Sequence, residues 1–177
     1  MLVLVAYATV EGQSRKIASH MAETLEKSGH QALLVDLNGP GFALPGTFDR
    51  AILCGSIHIG RYPPALVSFV SNWKSELMAR PCALVTVSLA IASEVAEEVR
   101  EAQAFPLVLA STTGFKADML HHAAGALKYL EYDFFKRWMM RRIATKEGGP
   151  DDVSKDHELT DWKALDAFVA DFIALER

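Results

Sequence analysis

Tyr7-Ala8-Thr9-Val10-Glu11-Gly12-Gln13-Ser14 is the stretch on which the reading of this chain turns. It follows the apolar run Leu2-Val3-Leu4-Val5-Ala6, short and branched enough to be a buried strand. It precedes Arg15-Lys16-Ile17-Ala18, which opens a helical pattern with Ile17, Met21 and Leu25 on one face. The stretch is therefore a loop between the carboxyl end of a strand and the amino end of a helix. Such a place suits an anion, because first-turn N–H groups lack partners inside the helix and the helix dipole adds partial positive charge. Thr9 and Ser14 add hydroxyl donors, and Gly12 permits close backbone approach. No lysine stands in the loop, so it is not the triphosphate loop G-x-x-x-x-G-K-[ST]. No G-x-G-x-x-G is present to suggest a dinucleotide. Taken alone, the same residues also make an ordinary capping loop, with Ser14 or Thr9 as the cap.

The 177 residues are 50% hydrophobic and 23% charged, which suits one domain, 1–177, around one buried core. The net charge of -4 implies no general attraction to nucleic acid. The chain opens directly on a strand with no charged-then-apolar leader, and no apolar run approaches the ~20 residues that span a bilayer, so a cytoplasmic protein is expected. Cys54 and Cys82 lie in apolar strand-like runs without metal or redox spacing, and read as buried free thiols; no metal site is expected.

Outward from the first loop, helix one should run from about Gly12 to Lys27 and end on a left-handed cap at Ser28-Gly29. Gln31–Leu37 reads as strand two, Asn38–Thr47 as a surface loop, and Phe48–Cys54 as strand three. Pro63-Pro64 opens helix two, with Leu66, Phe69, Val70 and Trp73 inward. Cys82–Val87 is an almost wholly apolar strand four with an exit loop Ser88–Ser93. Helix three follows from Glu94 to about Ala110, with acidic residues at its start. A weaker fifth strand falls within Thr112–Gly125, at His121–Gly125 or slightly earlier. The last helix runs from Thr160 or Asp161 to about Leu175, capped by Thr160. Strands alternating with helices argue an α/β fold whose parallel sheet is covered on both faces.

A first strand, a hydroxyl- and glycine-bearing loop and a helix at the start of the chain resemble the flavodoxins, whose loop holds the phosphate of FMN. The form T-x-E-G-Q-S, here Thr9, Glu11, Gly12, Gln13 and Ser14, is most similar to the branch containing the flavodoxin-like, quinone-dependent protoporphyrinogen oxidases. That family has a similar segment between its third strand and second helix, matched here by Gly55, Ser56-Ile57, Gly60 and Tyr62. The resemblance implies a doubly wound five-stranded parallel sheet of order 2-1-3-4-5. A ligand then belongs at the carboxyl ends of strands one and three, where the order reverses.

FMN is the cofactor so implied. Thr9, Val10, Glu11, Gly12, Gln13 and Ser14 would hold its phosphate. Ser56, Ile57, His58, Ile59, Gly60 and Tyr62 would flank the ring, and Ser88, Leu89 and Ala90 would edge it with backbone groups. His58, in its neutral form, is a candidate proton acceptor, and Arg61 a candidate partner for a substrate carboxylate; either is otherwise a solvated loop residue. Two departures stand out. Ala8 replaces a hydroxyl of many flavodoxin loops, and Ala90-Ile91-Ala92-Ser93-Glu94 replaces a segment that is often basic in the related family.

Between strand five and the last helix lie roughly thirty residues, about 126–159, where an ordinary connection is far shorter. This resembles the insert of the protoporphyrinogen oxidases, bounded here by Ala124-Gly125-Ala126-Leu127-Lys128-Tyr129, Gly148-Gly149 and Thr160-Asp161-Trp162. From Lys128 to Lys146 six basic residues outnumber two acidic ones. An imperfect amphipathic helix brings together Phe134, Phe135, Trp138, Met139 and Ile143, with Arg142 among them. Three uses remain open: packing on the domain, peripheral contact with the inner face of a membrane, or a homodimer contact. If the insert holds a substrate, Phe134 and Trp138 would face a flat ring and Arg137, Arg141 and Arg142 its carboxylates. The resemblance implies that protoporphyrinogen IX is oxidised in heme biosynthesis, with electrons passing through FMN to a membrane quinone. The alternatives are a flavodoxin-type electron carrier without its own substrate, and a scaffold that has lost FMN.

Overall fold

The computed structural model describes residues 1–39, 46–127 and 157–176. The elements in chain order are β1 (Leu2–Ala8), α1 (Gln13–Lys27), β2 (Gln31–Asp36), β3 (Arg50–Ser56), α2 (Pro64–Asn72), α3 (Lys74–Met78), β4 (Cys82–Val87), α4 (Ala96–Thr113), β5 (Met119–Ala123), β6 (Ala126–Leu127), β7 (His157–Glu158) and α5 (Trp162–Ala174). The five long strands form one parallel sheet of order β2-β1-β3-β4-β5, as expected. Residues Ala8, Gly55, Thr86 and His122 are in register across its carboxyl edge.

Alternation along the strands sends successive side chains to opposite faces. Val3, Val5, Ile52, Cys54, Ala83 and Val85 pack against Ile17, Met21 and Leu25 of α1 and against Leu165, Phe168 and Phe172 of α5. Leu4, Ala6, Leu53 and Leu84 pack on the other face against Leu66, Phe69 and Val70 of α2 and Leu109 of α4. Cys54 and Cys82 are both buried, and neither is in a disulfide. Burial pushes the Cys54 thiol far above its ordinary range. Arg50 reaches across the first face, donating to the carbonyls of Phe172 and Leu175 at 3.0 and 2.7 Å.

Several boundaries differ from the sequence reading. β3 starts and ends two residues later than Phe48–Cys54, since Arg50 is the first residue to pair with β1. β5 is Met119–Ala123, the slightly earlier placement that the sequence reading allows. α4 runs through buried Pro106 to Thr113, where Gly114 takes a left-handed conformation at φ 74°. Helix one does end on the expected left-handed turn: Gly29 has φ 81°, and His30 N–H reaches the Leu25 carbonyl at 3.0 Å. Asp161, not Thr160, caps α5, accepting from Ala164 N–H at 3.0 Å. The Thr160 hydroxyl instead donates to the Ala124 carbonyl at 2.7 Å. The short helix α3, a 3-10 turn at Leu89–Ala92 and the β6–β7 ladder were not foreseen.

Candidate functional site

Parallel strands deliver their exit loops to one edge, so the loops after β1, β3 and β4 lie side by side. The first of them is built by its own side chains. Thr9 Oγ1 accepts from Gly12 N–H at 2.8 Å, which closes the turn. Gly12 then enters α1 at φ 93°, a conformation that L side chains rarely adopt. No side chain caps α1, so neither Thr9 nor Ser14 is the cap that a plain capping loop would use.

Ser14 is wholly buried in the first turn of α1, and its hydroxyl has no hydrogen-bond partner among the described residues. A buried, unpaired hydroxyl costs about 1–3 kcal/mol. Its place beside first-turn N–H groups, which have no acceptors within a helix, makes a donor set for an anion. The Ser56 hydroxyl, at the end of the neighbouring β3, is the other buried side-chain oxygen without a partner among the described residues. The Ser14 hydroxyl and the first-turn N–H groups fit the phosphate end of FMN. Among the described residues no cluster of acidic, histidine or cysteine side chains is grouped to hold a metal.

The second loop is a tight turn. His58 N–H donates to the Arg61 carbonyl at 2.9 Å and Arg61 N–H to that of His58 at 3.1 Å. Ile59 and Gly60 both have positive φ, 48° and 70°. The Ile59 side chain is 82% exposed at the tip, whereas Ile57 is packed against the α2 side of the core. Ile57 N–H donates to the Val87 carbonyl at 2.8 Å, fastening this loop to β4. His58 Nδ1 stands 3.8 Å from Glu11 Oε1, joining the first and second loops. Arg61 is exposed.

Tyr62, which the sequence reading sets beside the ring, is buried under the second loop. It is 7% exposed, its hydroxyl is 2.8 Å from Thr86 Oγ1, and Gly55 leaves the space it fills. A Cβ on Gly55 would lie 2.4 Å from Leu66 Cδ2 and 3.1 Å from the Tyr62 ring. Burial pushes the Tyr62 phenol up to about 12, against the hydrogen bond with Thr86. The third loop is held by Ser88, whose N–H donates to the Ala123 carbonyl at 3.0 Å and whose Oγ accepts from Ala90 N–H at 3.2 Å. Leu89 and Ala90 lie in the 3-10 turn that this bond starts.

Thr9, Val10, Glu11, Gly12 and Ser14 thus share one loop and helix start, with Ser56–Arg61 and Ser88–Ala90 along the same sheet edge. The Gln13 side chain turns elsewhere, to Glu158 and Thr160. Asn38, in a surface loop by its sequence, donates its side-chain amide N–H to the Thr9 carbonyl at 2.8 Å and supports the first loop from the end of β2. An Asn two residues past a strand end was the available signal. Phe134, Arg137, Trp138, Arg141 and Arg142 lie outside the described residues.

A family model described as a flavodoxin domain matches residues 4–154. The Escherichia coli (strain K12) protein named protoporphyrinogen IX dehydrogenase [quinone] is 27% identical over 175 residues, covering 99% of this chain and 96% of that protein. A Leishmania major protein of the same name is 27% identical over 173 residues, covering 97% of this chain and 74% of its own length. Among solved structures, oxidised Flavodoxin 1 from Bacillus cereus superposes with a TM-score of 0.56 at 12% identity, covering all of both chains. A short-chain flavodoxin associated with a PDU bacterial microcompartment gives a TM-score of 0.55 at 12% identity, covering 98% of this chain and 97% of its own.

Proposed function

The chain belongs to the flavodoxin family, and from that premise we propose that it is an FMN-dependent oxidoreductase that takes hydrogens from protoporphyrinogen IX and passes electrons to a quinone. The observation that carries the cofactor is the buried Ser14 hydroxyl, unpartnered at the head of α1 beside the left-handed Gly12. The substrate and acceptor are supported by similarity over nearly the whole chain to proteins named for that reaction.

In this reading Gly12–Ser14 bind the phosphate through N–H groups and the Ser14 hydroxyl. The loops Ser56–Gly60 and Ser88–Ala90 orient the ring by backbone groups, and Tyr62 and Leu66 support the second loop from beneath. FMN when bound supplies an electron acceptor. His58, held near Glu11, takes a proton from the substrate, and Arg61 meets a substrate carboxylate. Residues 128–156, which include the basic and aromatic positions named above, are proposed to carry the tetrapyrrole and a contact with anionic lipid. Among the described residues no helix is long and apolar enough to cross a membrane.

Purified protein titrated with FMN should bind one equivalent noncovalently. Given protoporphyrinogen and a quinone without oxygen, it should then release fluorescent porphyrin. Protein that binds FMN and accepts electrons from dithionite, yet leaves protoporphyrinogen unchanged, would be a carrier and not this enzyme.

A further inference from the structure

One edge of α1 is bonded along its length to residues from Glu158 onward. Gln13, Lys16, His20 and Thr24 recur at three- and four-residue spacing, so they form one stripe on the helix. Gln13 Nε2 donates to Glu158 Oε1 at 2.8 Å and to Thr160 Oγ1 at 3.0 Å. Lys16 pairs with the other oxygen of Glu158. His20 Nε2 meets Asp166 Oδ1 at 2.7 Å, and Thr24 Oγ1 donates to the same oxygen at 2.9 Å. Between these pairs the Trp162 ring is enclosed, with Lys16 Nζ 5.5 Å and the His20 ring 4.7 Å from its centre.

The two halves of this stripe do different things. The lower half fastens α5 to α1 and needs nothing more. The upper half reaches the β6–β7 ladder, in which Glu158 pairs with Ala126 and His157 with Leu127. Thr160 completes the link, because its hydroxyl accepts from Gln13 and donates to the Ala124 carbonyl on the other side of the ladder. Hydrogen bonds from Lys16 and Thr160 hold the Glu158 carboxyl below its ordinary range, against the effect of burial. Gln13 is the first residue of α1, between left-handed Gly12 and buried Ser14. A side chain fixed there fixes the direction of the first-turn N–H groups.

We propose that Gln13 and Glu158 are positioning residues that make occupation of the Gly12–Ser14 turn and closure of the β6–β7 ladder one linked equilibrium. This rests on the reading that the turn holds the phosphate of FMN. An anion on the turn orders the same backbone that the Gln13 side chain orders, so each event favours the other, and the coupling is reciprocal. A carboxylate near an anion opposes it by charge alone. Lys16 offsets that charge, so Glu158 acts through its bonds.

The test is FMN titration of the full chain and of Gln13→Ala, Glu158→Ala, the double variant and Thr24→Ala. Each single upper-half variant should raise Kd about tenfold, the double variant no further than either single, and Thr24→Ala less than about twofold. Saturating FMN should slow amide exchange at β6 and β7 of the natural chain by a similar factor, and that slowing should vanish in Gln13→Ala. An unchanged Kd in Gln13→Ala, with FMN still bound by the natural chain, overturns the coupling and leaves the FMN reading intact. Tighter binding in Glu158→Ala overturns it also, reducing Glu158 to a nearby negative charge. Failure of the natural chain to bind FMN overturns both readings together.

Discussion

Gly12 sits at φ 93°, and a Cβ built there would meet nothing within 4 Å among the described residues beyond its chain neighbours. A side chain would therefore be resisted by the backbone conformation, at about 1–2 kcal/mol, and by whatever binds in the space outside. Gly12→Val should raise the Kd for FMN by about tenfold or more while leaving a cooperatively folding chain, measurable by flavin fluorescence and thermal unfolding. Ile59 presents the opposite case, a branched residue held at φ 48° with its side chain in solvent. Ile59→Asn would give the Asn-Gly pair that such turns favour, and should stabilise the protein by about 1 kcal/mol; a lower urea midpoint would show that Ile59 holds the turn in some other way. These residues mark how far local sequence reaches. Thr9–Ser14 was legible because its strand, loop and helix are consecutive. Tyr62 was not, because its burial depends on the empty space at Gly55 and on Thr86, twenty-four residues away.

The β6–β7 ladder sets the independence of the elements around it. Leu127 and His157 are paired residues, so the two ends of the undescribed stretch stand side by side. Replacing 129–156 by a short Gly/Ser linker closes a hairpin whose ends are already together, at small entropic cost. The variant should fold, bind FMN and be reduced by dithionite, but lose quinone-coupled protoporphyrinogen oxidation. Retained oxidation would remove the insert from the chemistry, and global unfolding would show that it belongs to the core. Strand and helix order were legible from alternation, yet weak elements slipped. β5 carries His121 and His122 with an uneven burial pattern, so apolar periodicity could not set its limits. Thr160 and Asp161 are both good caps in adjacent positions, and only the tertiary bond from Thr160 to Ala124 decides between them. The stripe on α1 is visible as polar spacing, but its partners are 142–147 residues away.

Across the whole molecule, burial lowers the pKa of both His121 and His122 from the ordinary 6.5. For His121, burial is reinforced by the neighbouring His122 and opposed by Asp161. The unfolded chain therefore binds more protons than the folded one just below that value. Their contribution to stability is complete above about pH 6.5 and is lost as pH falls through the lowered values. Urea midpoints should decline from pH 7.5 to 5.5, less steeply in His121→Leu; a midpoint that rises on acidification contradicts the assignment. The arrangement of α5 has a further consequence during synthesis. This helix shares the cover of one face of the sheet with α1, and its residues are the last of the fold to leave the ribosome. Until they do, Val3, Val5, Ile52 and Val85 lack half their cover, whatever the state of the five sheet strands already made. A released chain that ends before Trp162 should thus be a client for chaperones and prone to aggregate, while one that ends after Leu175 should be protease-resistant once released.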